Sequence, residues 1–337
     1  MITTLTGIVL GADLNHIEFH SLSLSRELTS NTLSLAHLQS VLMLLASERD
    51  YPLAKSGDSS MKYIRYPQSY RATLVHIGSN MGKTLRNADT TQFRLQLSMK
   101  RIPDYIKTIF KLLTAASHLM RERMLPTYVN HIIRTIQEAI PPINTTIEQL
   151  TELGNFISEL RRYSVNATAV VNCSISNRTD LVRSHELKST TILEQIHLTV
   201  KRMTRQFEQL ADVCMRLAER AQSNLDTNVQ SVGILTILYE IESTAYFIYQ
   251  SANIFTRFCD RYVTDRMASV GRYLLLATDE DRWKGLSTLS DQLKKAMNDL
   301  ANVSARYERE YDVNRSVLKD AYETLFGKFP DRSMLLQ

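Results

Sequence analysis

Apolar positions in the second half of the chain recur at helical spacing. From Leu193 the run Leu193, Ile196, Val200, Met203, Phe207, Leu210, Cys214, Leu217 and Ala221 steps by three and four without a miss. That is the a/d seam of a heptad repeat and predicts one long helix with a single buried stripe. A weaker version precedes it through Ile147, Leu150, Ile157, Leu160, Ser164, Ala167 and Val171, with Gly154 on the seam. After Asn228 the rhythm continues through Ile234, Leu238, Ile241, Ala245, Ile248, Ala252, Phe255, Cys259 and Tyr262. Leu235, Tyr239, Tyr246 and Tyr249 widen that apolar face, which predicts the most deeply placed helix.

The last patterned segment runs through Leu289, Leu293, Ala296, Leu300, Val303 and Tyr307, and takes two successive steps of four at Tyr311 before Leu318, Ala321 and Leu325. Two fours in a row are a stutter, which locally unwinds a supercoil. Gly327 and Pro330 supply the stop. Four long segments, about 143–173, 183–224, 228–268 and 286–326, are expected to bury their seams in an elongated antiparallel bundle.

The first hundred residues carry mixed periods. Ile17 with Phe19, Leu22 with Leu24, and Phe93, Leu95, Leu97 and Met99 alternate with period two, and Thr73 to Ile77 is rich in strand formers. Leu35, Leu38, Leu42 and Leu45 form a helix face behind Asn31 and Thr32 as candidate caps. The reading is a mainly α fold, divided into a small α+β or short-helix module over 1–101 and an elongated helical bundle over 102–337. From Pro103 the pattern is helical again, with Pro126 and the Pro141-Pro142 pair expected to punctuate short helices.

Composition supports helices: 10 Gly and 7 Pro in 337 residues leave few turns, and 44% apolar residues suffice for a core. No stretch of about 20 apolar residues and no secretory leader pattern stands out, so a soluble, cytoplasmic chain is expected. Cys173, Cys214 and Cys259 are odd in number and widely spaced, which suits reduced core residues.

Motifs that could carry chemistry are incomplete. Gly78-Ser-Asn-Met-Gly82-Lys83-Thr84 has three residues between its glycines where a phosphate-cradling loop needs four, and reads as a turn. On a strand His16, Glu18 and His20 would share one face and on a helix His16 and His20 would stand i,i+4, but a fourth metal ligand is missing. Trp283, following Asp279, Glu280 and Asp281, reads as a hydrophobic staple at a helix entrance, with the acids at the positive end of the dipole. No catalytic, metal or cofactor set is expected.

Charge is segregated. Residues 60–123 hold 12 basic side chains against Asp89, Asp104 and Glu122, a net of +9 in a chain of net +5. Lys62, Arg65, Arg71, Arg94, Lys100, Arg101, Lys107 and Lys111 are the candidate docking residues for a polyanion or an acidic partner, with Tyr63, Tyr66, Tyr70, Phe93 and Tyr105 interleaved. Arg94, Lys100 and Arg101 are expected on a strand, beside Lys107 and Lys111 on the next helix. The functional expectation is a non-enzymatic assembly or scaffolding bundle that binds a protein partner or itself through its helices. A membrane-active helical protein, pore-forming or remodelling and drawn to anionic lipid, is the alternative, and nucleic-acid packaging ranks third.

Overall fold

The computed structural model describes the backbone of residues 3–48, 50–53, 61–171, 180–225, 233–264, 269–270, 272–273, 275–276 and 278–313. Its elements are helices: α1 (Thr3–Glu48), α2 (Tyr70–Ala115), α3 (His118–Gln137), α4 (Ile140–Val171), α5 (Asp180–Leu225), α6 (Gly233–Cys259) and α7 (Asp279–Val313). A π-helical turn, Asp260–Thr264, continues α6. α1, α2 and α5 each run 46 residues, about 69 Å of helix. The protein is a mainly α, elongated helical bundle.

Side-chain pairs fix the directions. Ser34 meets Met297 and His37 meets Ser290, so α1 and α7 are antiparallel. Gln39 donates to the Gly78 carbonyl and Arg71 to the Ser47 carbonyl, which sets α1 against α2 in the same sense. Gln96 reaches Asn253 and Thr256 across α2 and α6, and Arg161 pairs with Glu194 across α4 and α5. Tyr105 stacks on His131, Thr91 bonds Thr146, Asn87 donates to Gln149, and His76 packs on Phe156. α3 and α4 therefore lie along α2 in one unbroken antiparallel register, despite the turn at Glu138 and Ala139 between them.

The seams predict burial well. Every apolar residue of the Leu193–Ala221 run is at most 5% exposed, and Phe207 is fully buried. Leu238, Ile241, Ala245, Ile248, Ala252, Phe255 and Cys259 are equally buried, and between 237 and 259 only Arg257 is exposed, which makes α6 the innermost helix among the described side chains. Leu289, Leu293, Ala296 and Leu300 bury their stripe of α7. The stutter at Tyr311, the stop at Gly327 and Cys173 lie outside the described side chains.

The first hundred residues need correction. The α+β reading is overturned: among the described residues there is no strand. Leu95 and Met99 are 1% exposed while Phe93 and Leu97 are 51% and 45% exposed, so the apparent alternation is two i,i+4 pairs on opposite faces of α2. Thr73 to Ile77 is helical because Ser69 caps α2, its hydroxyl accepting from the Ala72 N–H, and because Thr73 returns its own hydroxyl to the Ser69 and Tyr66 carbonyls. Asn31 and Thr32 lie inside α1, where Asn31 donates to Gln206 and Thr32 to the Leu28 carbonyl. Pro103 and Pro126 lie inside α2 and α3, and the chain breaks instead at Ala116 and Ser117. α2 runs unbroken across residues 101 and 102, and one apolar core extends from Leu24 to Leu300.

Candidate functional site

The Gly78–Thr84 string is mid-helix in α2, so it forms neither a phosphate loop nor a turn. Gly78 serves packing: a Cβ there would overlap Met43 Cε and stand 3.1 Å from its Sδ, so the glycine leaves room for the end of the Met43 side chain. His16, Glu18 and His20 lie on α1 with their side chains outside the described set. Among the described residues no three His, Cys, Asp or Glu side chains gather as a metal site. Trp283 is 53% exposed on α7 and does not staple the helix. The acids do sit in the first turn, where Thr278 accepts from the Asp281 N–H at 3.1 Å and donates to its carboxylate at 2.6 Å.

The basic residues converge on one helix. Lys83, Arg86, Arg94, Lys100, Arg101, Lys107 and Lys111 all belong to α2 and all are exposed. At 100° per residue they fall within an arc of about 140°, and from Lys83 to Lys111 the stripe runs about 42 Å. The opposite arc carries Leu85, Leu95, Met99, Ile102, Ile106 and Ile109, each at most 1% exposed, which fixes the cationic arc toward solvent. Arg94, Lys100 and Arg101 thus share a face with Lys107 and Lys111, though on one helix and not on a strand followed by a helix. Phe93 and Leu97 lie within the same arc, and Arg86, Phe93, Leu97, Lys100, Asp104, Lys107 and Lys111 repeat at heptad steps. This second seam on α2 is open to solvent.

Three of the expected residues stand apart. Lys62 and Arg65 are exposed on the connection that leads into α2, with the Lys62 ammonium 5.2 Å from the Tyr63 ring centroid. Arg71 is half-buried and structural: its guanidinium donates to the Ser47 carbonyl and its N–H to Asp50. Burial alone would raise the Asp50 carboxyl, but the bonds from Arg71 N–H and the Ser69 hydroxyl hold it below its ordinary value.

Two arrangements had no sequence signal. Glu159 of α4 accepts from three successive backbone N–H groups, those of Lys62, Tyr63 and Ile64, at 2.8, 2.6 and 3.0 Å. On the other flank, burial and then the neighbouring Asp260 push the Asp89 carboxyl up to about 6. Burial, then Asp89 and Asp260, raise the adjacent Cys259 thiol well above its ordinary value, and burial pushes Cys214 up to about 12, so both thiols stay protonated. Asp89 is the one acid between Arg71 and Asp104, a visible oddity, but its partner is set by the π-helical turn, which no sequence pattern announces. Comparison with protein-family profiles, with curated proteins and with solved structures finds no match, so the functional reading rests on this geometry.

Proposed function

We propose that the protein is a non-enzymatic assembly or scaffolding bundle whose solvent-facing seam on α2 docks an acidic, amphipathic helix of a partner protein. The observation that carries this reading is the single exposed arc of seven cations around Phe93 and Leu97, with Asp104 its one exposed acid. A stripe repeating at heptad steps offers two apolar knobs and flanking positive charge. A partner helix with an apolar pair bordered by Asp or Glu would complement it, and the charges would steer the encounter. Such exposed charges are screened beyond about 8 Å at physiological salt, so binding should weaken as salt rises.

A second reading, attachment to an anionic membrane, is favoured by one further observation. At the α2–α3 corner Leu119, Met120 and Met124 are 60%, 50% and 36% exposed beside exposed Lys111 and Arg123. Such a corner suits interfacial attachment. No helix among the described residues is long and apolar enough to cross a membrane.

The test compares the wild type with Arg94, Lys100 and Arg101 all changed to Glu, against an acidic Leu-containing helical peptide, phosphatidylserine liposomes and RNA, at low and moderate salt. The docking reading expects salt-sensitive peptide binding that the triple variant loses. Sedimentation with liposomes in place of peptide binding selects the membrane reading, and RNA binding alone selects packaging. Failure to bind any of the three means that the stripe is a solvated face.

A further inference from the structure

The described part of the connection into α2, residues 61–69, is held by hydrogen bonds along its length. Glu159 fixes the N–H groups of residues 62–64, the Tyr66 carbonyl accepts from the Thr73 hydroxyl and the Ser69 N–H, and Leu53 donates to the Pro67 carbonyl. This clamp sets the Tyr66 ring against His76 on α2, with the exposed Arg65 next to Tyr66 in the chain. The Tyr66 ring meets the His76 ring edge-on at 5.6 Å, and Phe156 of α4 closes the other side at 5.1 Å. Lys83 lies two turns along the same face of α2.

Three features of this cluster are unsatisfied as it stands. His76 Nδ1 is buried and has no hydrogen-bond partner. Burial, then the positive fields of Arg65 and Lys83, hold the His76 imidazole below its ordinary value, and no carboxylate offsets them. Arg65 and Lys83 have no ion-pair partner among the described residues, since the nearby Glu159 carboxylate is committed to backbone. Two exposed cations whose fields reach His76, an imidazole able to take up a proton and a half-exposed tyrosine ring lie together with no carboxylate acting on the imidazole.

We propose that Arg65, His76 and Lys83, with Tyr66 beside them, form a binding site for a phosphate group. Arg65 supplies planar donors suited to phosphate oxygens and Lys83 a point charge. A bound dianion reverses the field at His76, so the imidazole takes up a proton and adds a third charge-assisted hydrogen bond. The site owes nothing to the spacing of Gly78 and Gly82, because Lys83 reaches it from a helix face. It shares Lys83 with the docking stripe but not Arg65 or His76, and the stripe can be reversed at Arg94, Lys100 and Arg101 with this cluster intact.

The experiment follows the imidazole carbon signals of His76 in the full chain, from below pH 5 to above pH 8, with millimolar inorganic phosphate or with chloride at matched ionic strength. Phosphate should raise the His76 midpoint by at least about half a pH unit, roughly threefold in proton affinity, and leave His37 and His197 unmoved. Arg65→Gln and Lys83→Gln, both at exposed positions, should each raise the midpoint without phosphate and abolish the response to it. The Arg94, Lys100 and Arg101 reversal should retain the response, which separates this site from the docking reading. A second arm uses vesicles of phosphatidic acid or phosphatidylserine in neutral lipid. A response to phosphatidic acid but not phosphatidylserine assigns the phosphate to a lipid headgroup, and a response to inorganic phosphate alone assigns a free phosphate. An equal response to chloride, a response that survives Lys83→Gln, or no response to either phosphate source overturns the proposal.

Discussion

Phe207 is fully buried at the middle of the α5 seam, where neighbours on packed helices cannot collapse freely into a vacancy. Phe207→Ala should cost about 3 to 5 kcal/mol, read by denaturant unfolding, and an unchanged midpoint would contradict the seam. Charge is handled less forgivingly. Arg220 lies 3.1 Å from Glu240 across α5 and α6 with side chains 18% and 12% exposed, and burial raises the Glu240 carboxyl against the opposing pull of Arg220. Arg220→Ala strands that carboxylate and should cost about 3 kcal/mol. Adding Glu240→Gln should recover much of the loss, because the expense lies in the uncompensated charge and not in the missing contact. The buried apolar positions were legible in the sequence because periodicity alone decides them. The Arg220–Glu240 pair was not, since it depends on the register between two helices.

Among the elements, α2 shows best where sequence reading succeeds and fails. Its charge was legible: residues 60–123 hold the basic excess, and Arg94, Lys100, Arg101, Lys107 and Lys111 share a face of α2. Its conformation was not, because Phe93 and Leu97 sit on the solvent side, where apolar residues mimic the alternate positions of a strand. The same exposed pair that misled the assignment gives the stripe its apolar centre. The connection before α2 depends on Glu159, and charge-assisted hydrogen bonds of this kind contribute about 1.5 to 3 kcal/mol each. In Glu159→Ala the segment can detach and let water satisfy its N–H groups, so the loss should remain local. Hydrogen exchange should accelerate over residues 61–66 while α5 keeps its protection, and an unchanged rate at 62–64 would show that the clamp is unnecessary.

Across the whole molecule, three histidines packed between helices give the fold a pH dependence of definite sign. His37 of α1 approaches Ser290 of α7, its imidazole 2.9 Å from the serine hydroxyl, and burial keeps it below its ordinary value. Burial and then Arg161 lower His197 on α5, and burial with Arg65 and Lys83 lowers His76 on α2. A histidine with a lowered folded value binds protons more readily when unfolded, so stability is lost as pH falls through 6.5 toward each folded value. Asp89 acts in the opposite sense. With a folded value of about 6 against 3.8 unfolded, its buried charge is a cost present above pH 6 and relieved as pH falls from 6 to below 4. Among these four groups three destabilise the acidified bundle and one supports it, while Asp50, held low, adds to the loss at lower pH and Glu240, raised by burial, adds to the support. Thermal unfolding without phosphate should show a maximum near or above neutrality and a falling Tm below pH 6.5. Asp89→Asn removes the charge cost, so its Tm should exceed the wild type's at pH 8. Its decline on acidification should be steeper, and the two curves should converge near pH 4. His37→Gln should instead flatten the decline, because it removes one site of preferential proton uptake by the unfolded chain. A parallel pair of wild-type and Asp89→Asn curves would mean that Asp89 titrates alike in both states and that its contact with the π-helical turn places no strain on its charge.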